Sequence, residues 1–386
     1  MDEEKKPQRI YFVDNLRILL TILVIMHHTM ITYGALGGWY YIDPNIDEST
    51  SILLTVFAAL NQGFFMGFFF LLSSYFTPGS YNRKGPRTFL KDRFIRLGIP
   101  ILIYIAIVNP LMIYLLADMS ESFFEFYFSY FRSWEGIENF INGSGPLWFT
   151  VTLLIFVLFY CLWRQMFKEK QNPEKEGMQT TPKNSQIILI IIIMNFLTFI
   201  VRLSYPLNGG DVILNIQVAN IVQYSIMLIL GTIAYKRDWF NTIPDSQGKL
   251  WLSIAALSVV YLITLGYVSG AFEGEYDNVL GGLTWESFVY TNWESIYCIA
   301  MSIGLIFLFR TKFNTQGKII KTISGNTYTM YLIHAVVLVS VSVLFEGINV
   351  PPLLKFVIVL PIVILICFLI SHFILRRIPG TKRILG

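Results

Sequence analysis

Ten stretches of roughly 20 mostly apolar residues recur along the chain, each long enough for one helix to cross the hydrocarbon core of a bilayer. They fall at about 10–34, 53–76, 94–117, 147–167, 186–204, 213–235, 250–270, 287–309, 326–345 and 353–375. A spanning segment must satisfy its backbone hydrogen bonds internally, so the pattern predicts an all-α, polytopic membrane bundle of about ten transmembrane helices. Composition agrees: 54% of the 386 residues are hydrophobic and 14% are charged, where a soluble domain carries about a quarter charged. The 32 Phe and 21 Tyr enlarge the apolar total, and Tyr suits the water-lipid boundary.

The segments between the runs test the count, because cytoplasmic loops are rich in Lys and Arg. With the amino-terminal tail inside, the inner segments carry 25 of the 29 cations, in groups such as Lys5, Lys6 and Arg9, or Arg83, Lys84, Arg87, Lys91, Arg93 and Arg96. The outer ones carry only Arg132, Arg202 and Lys355, beside acids such as Asp43, Asp47, Glu48 and Glu273. Both termini are therefore expected in the cytoplasm and the protein in the cell (inner) membrane, with membrane lipid around it. The net charge of +4 is spread in short clusters with no continuous basic face, which excludes nucleic acid as a partner. Cys161, Cys298 and Cys367 sit singly in apolar runs, so no metal site is expected.

One domain is expected over 1–386, with 168–185 as a cytoplasmic loop, a retained first helix and no appended soluble domain. The segment 122–140, SFFEFYFSYFRSWEGIENF, is too polar to span and dense in aromatics. It reads as an interfacial helix, with an aromatic platform for a sugar or lipid acceptor as the alternative.

Ionisable side chains inside spans are costly and mark candidate sites. The first helix holds Asp14, Arg17, His27 and His28. Arg17 and His28 are eleven residues apart, which puts them on one face with a rise of about 16 Å. A neutral His28 there could take a proton from an attacking hydroxyl; a structural polar pair of Arg17 with Asp14 is the plain alternative. Arg93 and Arg96, one turn apart, could hold the phosphates of a nucleotide-containing donor or act only as a positive-inside anchor. In the ninth helix Tyr328, Tyr331 and His334 share roughly one side. Glu294, in the eighth, is a candidate for orienting a histidine or the acceptor, whereas His372 near the end of the tenth reads as incidental.

The segment RIYFVDNLRILLTILVIMHHTMITYG, followed in order by FFFLLSSYF, RFIRLGIP, GPLWFTVTLLI and YTMYLIHAVV, resembles the acyltransferase 3 family of membrane acyltransferases over nearly the whole chain. The double histidine with Thr and Tyr-Gly is most similar to a branch that succinylates periplasmic glucans. Ser73-Ser74 departs from the Ser-Gly frequent in the family, which leaves the helix packing there open. The extracytoplasmic esterase-like domain of some members is not expected here.

The resemblance implies O-acyl transfer, of the acetyl or succinyl class, from cytoplasmic acyl-CoA to a hydroxyl of an extracytoplasmic carbohydrate or glycolipid. No bound cofactor is expected; acyl-CoA is the donor substrate. Arg17, Arg93 and Arg96 would hold the CoA phosphates, and His28 would be the general base. His334 would be a second proton carrier or would position the thioester, and Tyr331 would hydrogen-bond the carbonyl. A transporter or flippase of an acyl group or glycan precursor fits ten helices with buried Arg, His and Glu on physical grounds alone. A sensor or assembly partner of a cell-envelope pathway is a third reading.

Overall fold

The computed structural model describes residues 10–117, 121–132, 134–167, 181–207 and 212–385. Lys5, Lys6 and Arg9, and residues 168–180 of the expected cytoplasmic loop, lie outside the described residues. Among the described residues, ten helical segments are long and apolar enough to cross a membrane: Tyr11–Tyr33, Glu48–Tyr75, Thr77–Leu116, Gly145–Met166, Asn184–Ser204, Val218–Lys236, Asp245–Val268, Trp285–Lys312, Lys318–Leu344 and Pro352–Arg377. These are the ten expected runs, and the chain is an all-α multi-pass membrane protein. The one departure among the described residues is a two-residue hairpin pairing Val212–Ile213 with Ile216–Gln217.

The third and ninth helices begin well before their apolar runs. The polar segment Thr77–Arg93 is helical around a kink at Gly85, whose φ of +71° precedes Pro86; hydropathy does not register a helix that polar. Two π-helical turns, Phe94–Gly98 and Tyr104–Val108, follow. Pro100 has no N–H to give the carbonyl four residues earlier, which is that of Arg96. The Tyr328 hydroxyl donates to that oxygen at 2.5 Å, tying the third span to the ninth.

Glycines set two close approaches in the second span. It breaks into Glu48–Gln62 and Phe65–Tyr75 at Gly63, where a Cβ would lie 2.8 Å from the Trp293 ring. The Gln223 amide donates to the Gly63 carbonyl at 3.0 Å. Lower down, Ser74 is fully buried against Gly231 of the sixth span, where a Cβ would overlap the Ser74 hydroxyl and the Leu71 carbonyl. The glycine that the Ser73-Ser74 pair lacks is supplied by the facing helix, as small residues do in membrane interfaces.

The cation-bearing links meet at one end of the bundle. The Asn15 amide donates to the carbonyls of Phe313 and Thr315 at 2.7 and 3.2 Å. Arg310 donates to Asn241 and Ile243 carbonyls at 2.9 and 2.6 Å, and Arg376 to that of Gly325. The segment 123–142 forms two short helices, Phe123–Arg132 and Trp134–Asn142, that expose Phe124, Phe128 and Ile137. The first span packs against the second, ninth and tenth, which brings His28 to His334.

Candidate active site

His28 and His334 face each other across the first and ninth spans, with His28 Nδ1 3.0 Å from His334 Nε2. His334 is fully buried, and its Nδ1 lies 2.6 Å from the carbonyl oxygen of Tyr331. A carbonyl only accepts, so His334 Nδ1 carries a hydrogen. With both rings neutral, His334 Nε2 is then an acceptor, and the hydrogen between the rings belongs to His28 Nδ1. That leaves the lone pair of His28 on Nε2. The indole of Trp39 stacks on His28 at 4.0 Å between centroids and 17° between planes. His27 packs instead against Phe65, and its Nδ1 has no hydrogen-bond partner among the described residues.

His28 lines a cavity of about 440 Å³ with Gly38, Trp39, Tyr40, Asn109, Asn142, Gly145, Pro146, Trp148 and Asn215. Tyr40 comes from the link between the first two spans; its hydroxyl donates to Asn109 Oδ1 at 2.6 Å and lies 3.0 Å from the Tyr104 hydroxyl. Burial pushes the Tyr40 phenol up to about 12, so it stays a neutral donor at ordinary pH. The hairpin tip reaches the same cavity: Leu214 and Asn215 hold φ of 57° and 59°, the pattern of a type I′ turn. Asn215 Nδ2 donates to the Gly145 carbonyl at 2.7 Å and its backbone N–H to Asn142 Oδ1 at 3.2 Å. Among the described residues the lining is aromatic and amide, without Asp, Glu, Lys or Arg.

A second, larger cavity of about 1360 Å³ has the opposite character. Among the described residues eight cations line it, Arg17, Arg83, Lys84, Arg93, Arg96, Lys236, Arg376 and Arg383, against three carboxylates, Asp14, Asp92 and Asp238. The structure thus brings Arg17, Arg93 and Arg96 together. Arg17 lies 3.4 Å from Asp14 and over the Phe76 ring, Arg93 over Phe89 and Arg96 over Tyr328.

A thin wall separates the two cavities. Phe149, Thr150 and Tyr331 line the cationic one, while Pro146, Trp148 and His28 line the other. The Tyr331 hydroxyl donates to the Pro146 carbonyl at 2.6 Å, and the next turn of the ninth helix carries His334. Tyr331 is therefore in the wall, with its one hydroxyl hydrogen engaged by the protein itself.

Glu294 lines neither cavity, and its hydrogen-bond partner is not a histidine. Its carboxylate accepts from Arg202 at 2.7 Å, with both side chains buried, and Arg202 also donates to Asn220 Oδ1 at 2.8 Å and the Ala219 carbonyl at 3.3 Å. A charge buried in the bilayer region needs a partner, and this pair meets that need. Lys355 does the same with Asp43 at 2.6 Å. Two of the three cations on the segments read as outer are thus neutralised locally. His372 stacks on Phe368, lies 3.4 Å from the Asn326 amide and lines neither cavity. The residues that sequence reasoning missed are Trp39, Tyr40, Asn109, Asn142 and Asn215. Asn109, a lone amide in an apolar run, carried a usable signal; the rest sit in links whose folding back is not written in their composition.

A family model described as an acyltransferase domain matches residues 10–372. Glucans biosynthesis protein C of Escherichia coli strain K12 is 27% identical over 287 residues, covering 71% of this chain and 71% of its own. The protein of that name from Shigella dysenteriae serotype 1 strain Sd197 is 26% identical over 289 residues, with the same coverage. No solved structure gives a significant match.

Proposed function

The chain belongs to the acyltransferase 3 family, and from that premise we propose that this membrane acyltransferase moves an acetyl- or succinyl-class group from cytoplasmic acyl-CoA to a hydroxyl of an extracytoplasmic carbohydrate or glycolipid. The observation that carries the reading is the wall. A cavity lined by eight cations and Tyr331 and a cavity lined by aromatic and amide groups and His28 adjoin where Tyr331 hydrogen-bonds to Pro146, with His334 hydrogen-bonded to His28. The first suits the phosphates of CoA, since guanidinium groups bind phosphate through charge-assisted, often bidentate hydrogen bonds. The second suits a sugar, whose ring faces stack on indole and whose hydroxyls pair with amides.

The acyl thioester passes along the wall, and the acceptor hydroxyl lies at His28 Nε2. As the hydroxyl oxygen bonds to the acyl carbon, its proton passes to Nε2 and the carbon–sulfur bond breaks. The departing thiolate takes up that proton, so the products are the O-acyl ester and CoA thiol. His334 holds His28 in the tautomer that leaves Nε2 bare, which deepens its expected role from carrier to positioning residue. The cationic end faces the cytoplasm, where acyl-CoA is available, and both termini lie on that side of the inner membrane.

The relatives' name supports a glucan as the acceptor class. Transport without chemistry is disfavoured by the family. In detergent, where no compartment exists, purified protein releases thiol from acetyl- or succinyl-CoA when an acceptor glycan is added; a transporter releases none.

A further inference from the structure

We propose that Trp39 stabilises the imidazolium formed on His28, and that the buried Asp43–Lys355 ion pair is the strap that holds Trp39 there. The inference rests on the reading of His28 as the base. An indole face within about 6 Å of a cation attracts it, by up to about 2 kcal/mol when the pair is out of water. Trp39 lies parallel to His28 at 4.0 Å, and both line the smaller cavity. When the ring takes the acceptor's proton, the charge appears against the indole face and is stabilised only after the proton has begun to move. Trp39 therefore favours the transition state over the bound substrates.

Trp39 sits in a link with no regular structure of its own, so something must fix it. The link leaves the first span at Gly34, and Leu36 N–H donates to the Thr55 hydroxyl at 3.0 Å. Beyond Trp39, the Asp43 N–H donates to the Thr32 carbonyl at 2.8 Å, and the Asp43 carboxylate accepts from Lys355 Nζ at 2.6 Å. Both side chains are 1% exposed. Lys355 belongs to the tenth span, so the pair ties the link to a helix that contributes nothing to the cavity. A lysine on a segment read as outer goes against the charge pattern of the rest of the chain. Its place is explained by what it holds.

The test compares turnover, read as thiol released from succinyl- or acetyl-CoA with a glucan acceptor, for Trp39→Leu, Trp39→Phe, the double variant Asp43→Asn/Lys355→Met, and the triple variant adding Trp39→Leu. The double variant removes both charges together, so no unpaired charge is left buried to unfold the protein. Trp39→Leu should lower kcat by about ten- to thirtyfold, with KM for acyl-CoA unchanged and Trp39→Phe losing less than half as much. The double variant should lose kcat to a similar degree, and the triple should be no worse than the double. Full kcat in Trp39→Leu overturns the assignment. A triple variant tenfold below the double overturns the strap, because the two sites would then act independently. His28→Ala is the control: if it keeps turnover, the reading of the base fails; if it is inactive while Trp39→Leu is intact, only the present inference does.

Discussion

His28 Nδ1 and His334 Nε2 stand 3.0 Å apart, and because His334 Nδ1 is engaged by the Tyr331 carbonyl at 2.6 Å, the hydrogen between the rings comes from His28. Two helices nearly the length of the chain apart in sequence thus set the protonation pattern of one imidazole. Replacing His334 with Ala frees the His28 ring to rotate and to change tautomer. Turnover should fall by about 10- to 100-fold, less than the loss for His28→Ala, which general-base catalysis puts at about 100- to 10,000-fold. The double variant should be no slower than His28→Ala alone, since groups acting as a unit are not additive. Steady-state kinetics on the three purified proteins checks this; losses that multiply would show that the rings act separately.

Arg93 and Arg96 line the cationic cavity, and their loss should appear in donor binding. Each Ala substitution should raise KM for acyl-CoA by about tenfold or more, the range for one lost hydrogen bond to a charged group, with kcat little changed. Added salt should raise KM in the wild type and less so in the variants, because a screened cavity has less attraction to lose. A fall in kcat at unchanged KM would place these residues outside the donor site.

Glu294 and Arg202 form a buried pair that lines neither cavity. Glu294→Gln should cost stability, about 3–5 kcal/mol for a buried charge left alone, while the folded fraction keeps kcat within twofold. Thermal unfolding beside activity per folded molecule separates the two; a loss of kcat in protein that melts normally would return Glu294 to the catalytic set.

Gly231 faces Ser74 and the Leu71 carbonyl with no room for a Cβ. Gly231→Ala should destabilise by about 1–3 kcal/mol, the usual cost of overpacking. Adding Ser74→Gly should recover only part of it, since the Leu71 carbonyl is backbone and stays. Full recovery would mean that the hydroxyl alone sets the contact.

The ten spans were legible because apolar length and cation alternation are local properties of the sequence. Arg17 and His28 were placed correctly on one helix, at its two cavities, for the same reason: eleven residues of helix have one geometry. The pairing of His28 with His334 was not legible, since the packing of the first span on the ninth is tertiary. Glu294 was singled out by the rule that buried ionisable groups in membranes are functional; its pairing with Arg202, 92 positions away, was not legible. Trp39 and Tyr40 were missed because a link's composition does not say whether it folds into the bundle. The helix through Thr77–Arg93 was missed because its polar sequence carries no apolar period.

The most direct test of the account is turnover by purified His28→Ala in detergent, in protein whose thermal midpoint matches the wild type. Thiol release from acyl-CoA is followed together with the mass of the acceptor glycan. The wild type should release one thiol for each acyl group gained by the glycan, and His28→Ala should lose both signals together by at least about 100-fold. Equal turnover in the two proteins would contradict the assignment of His28 as the base.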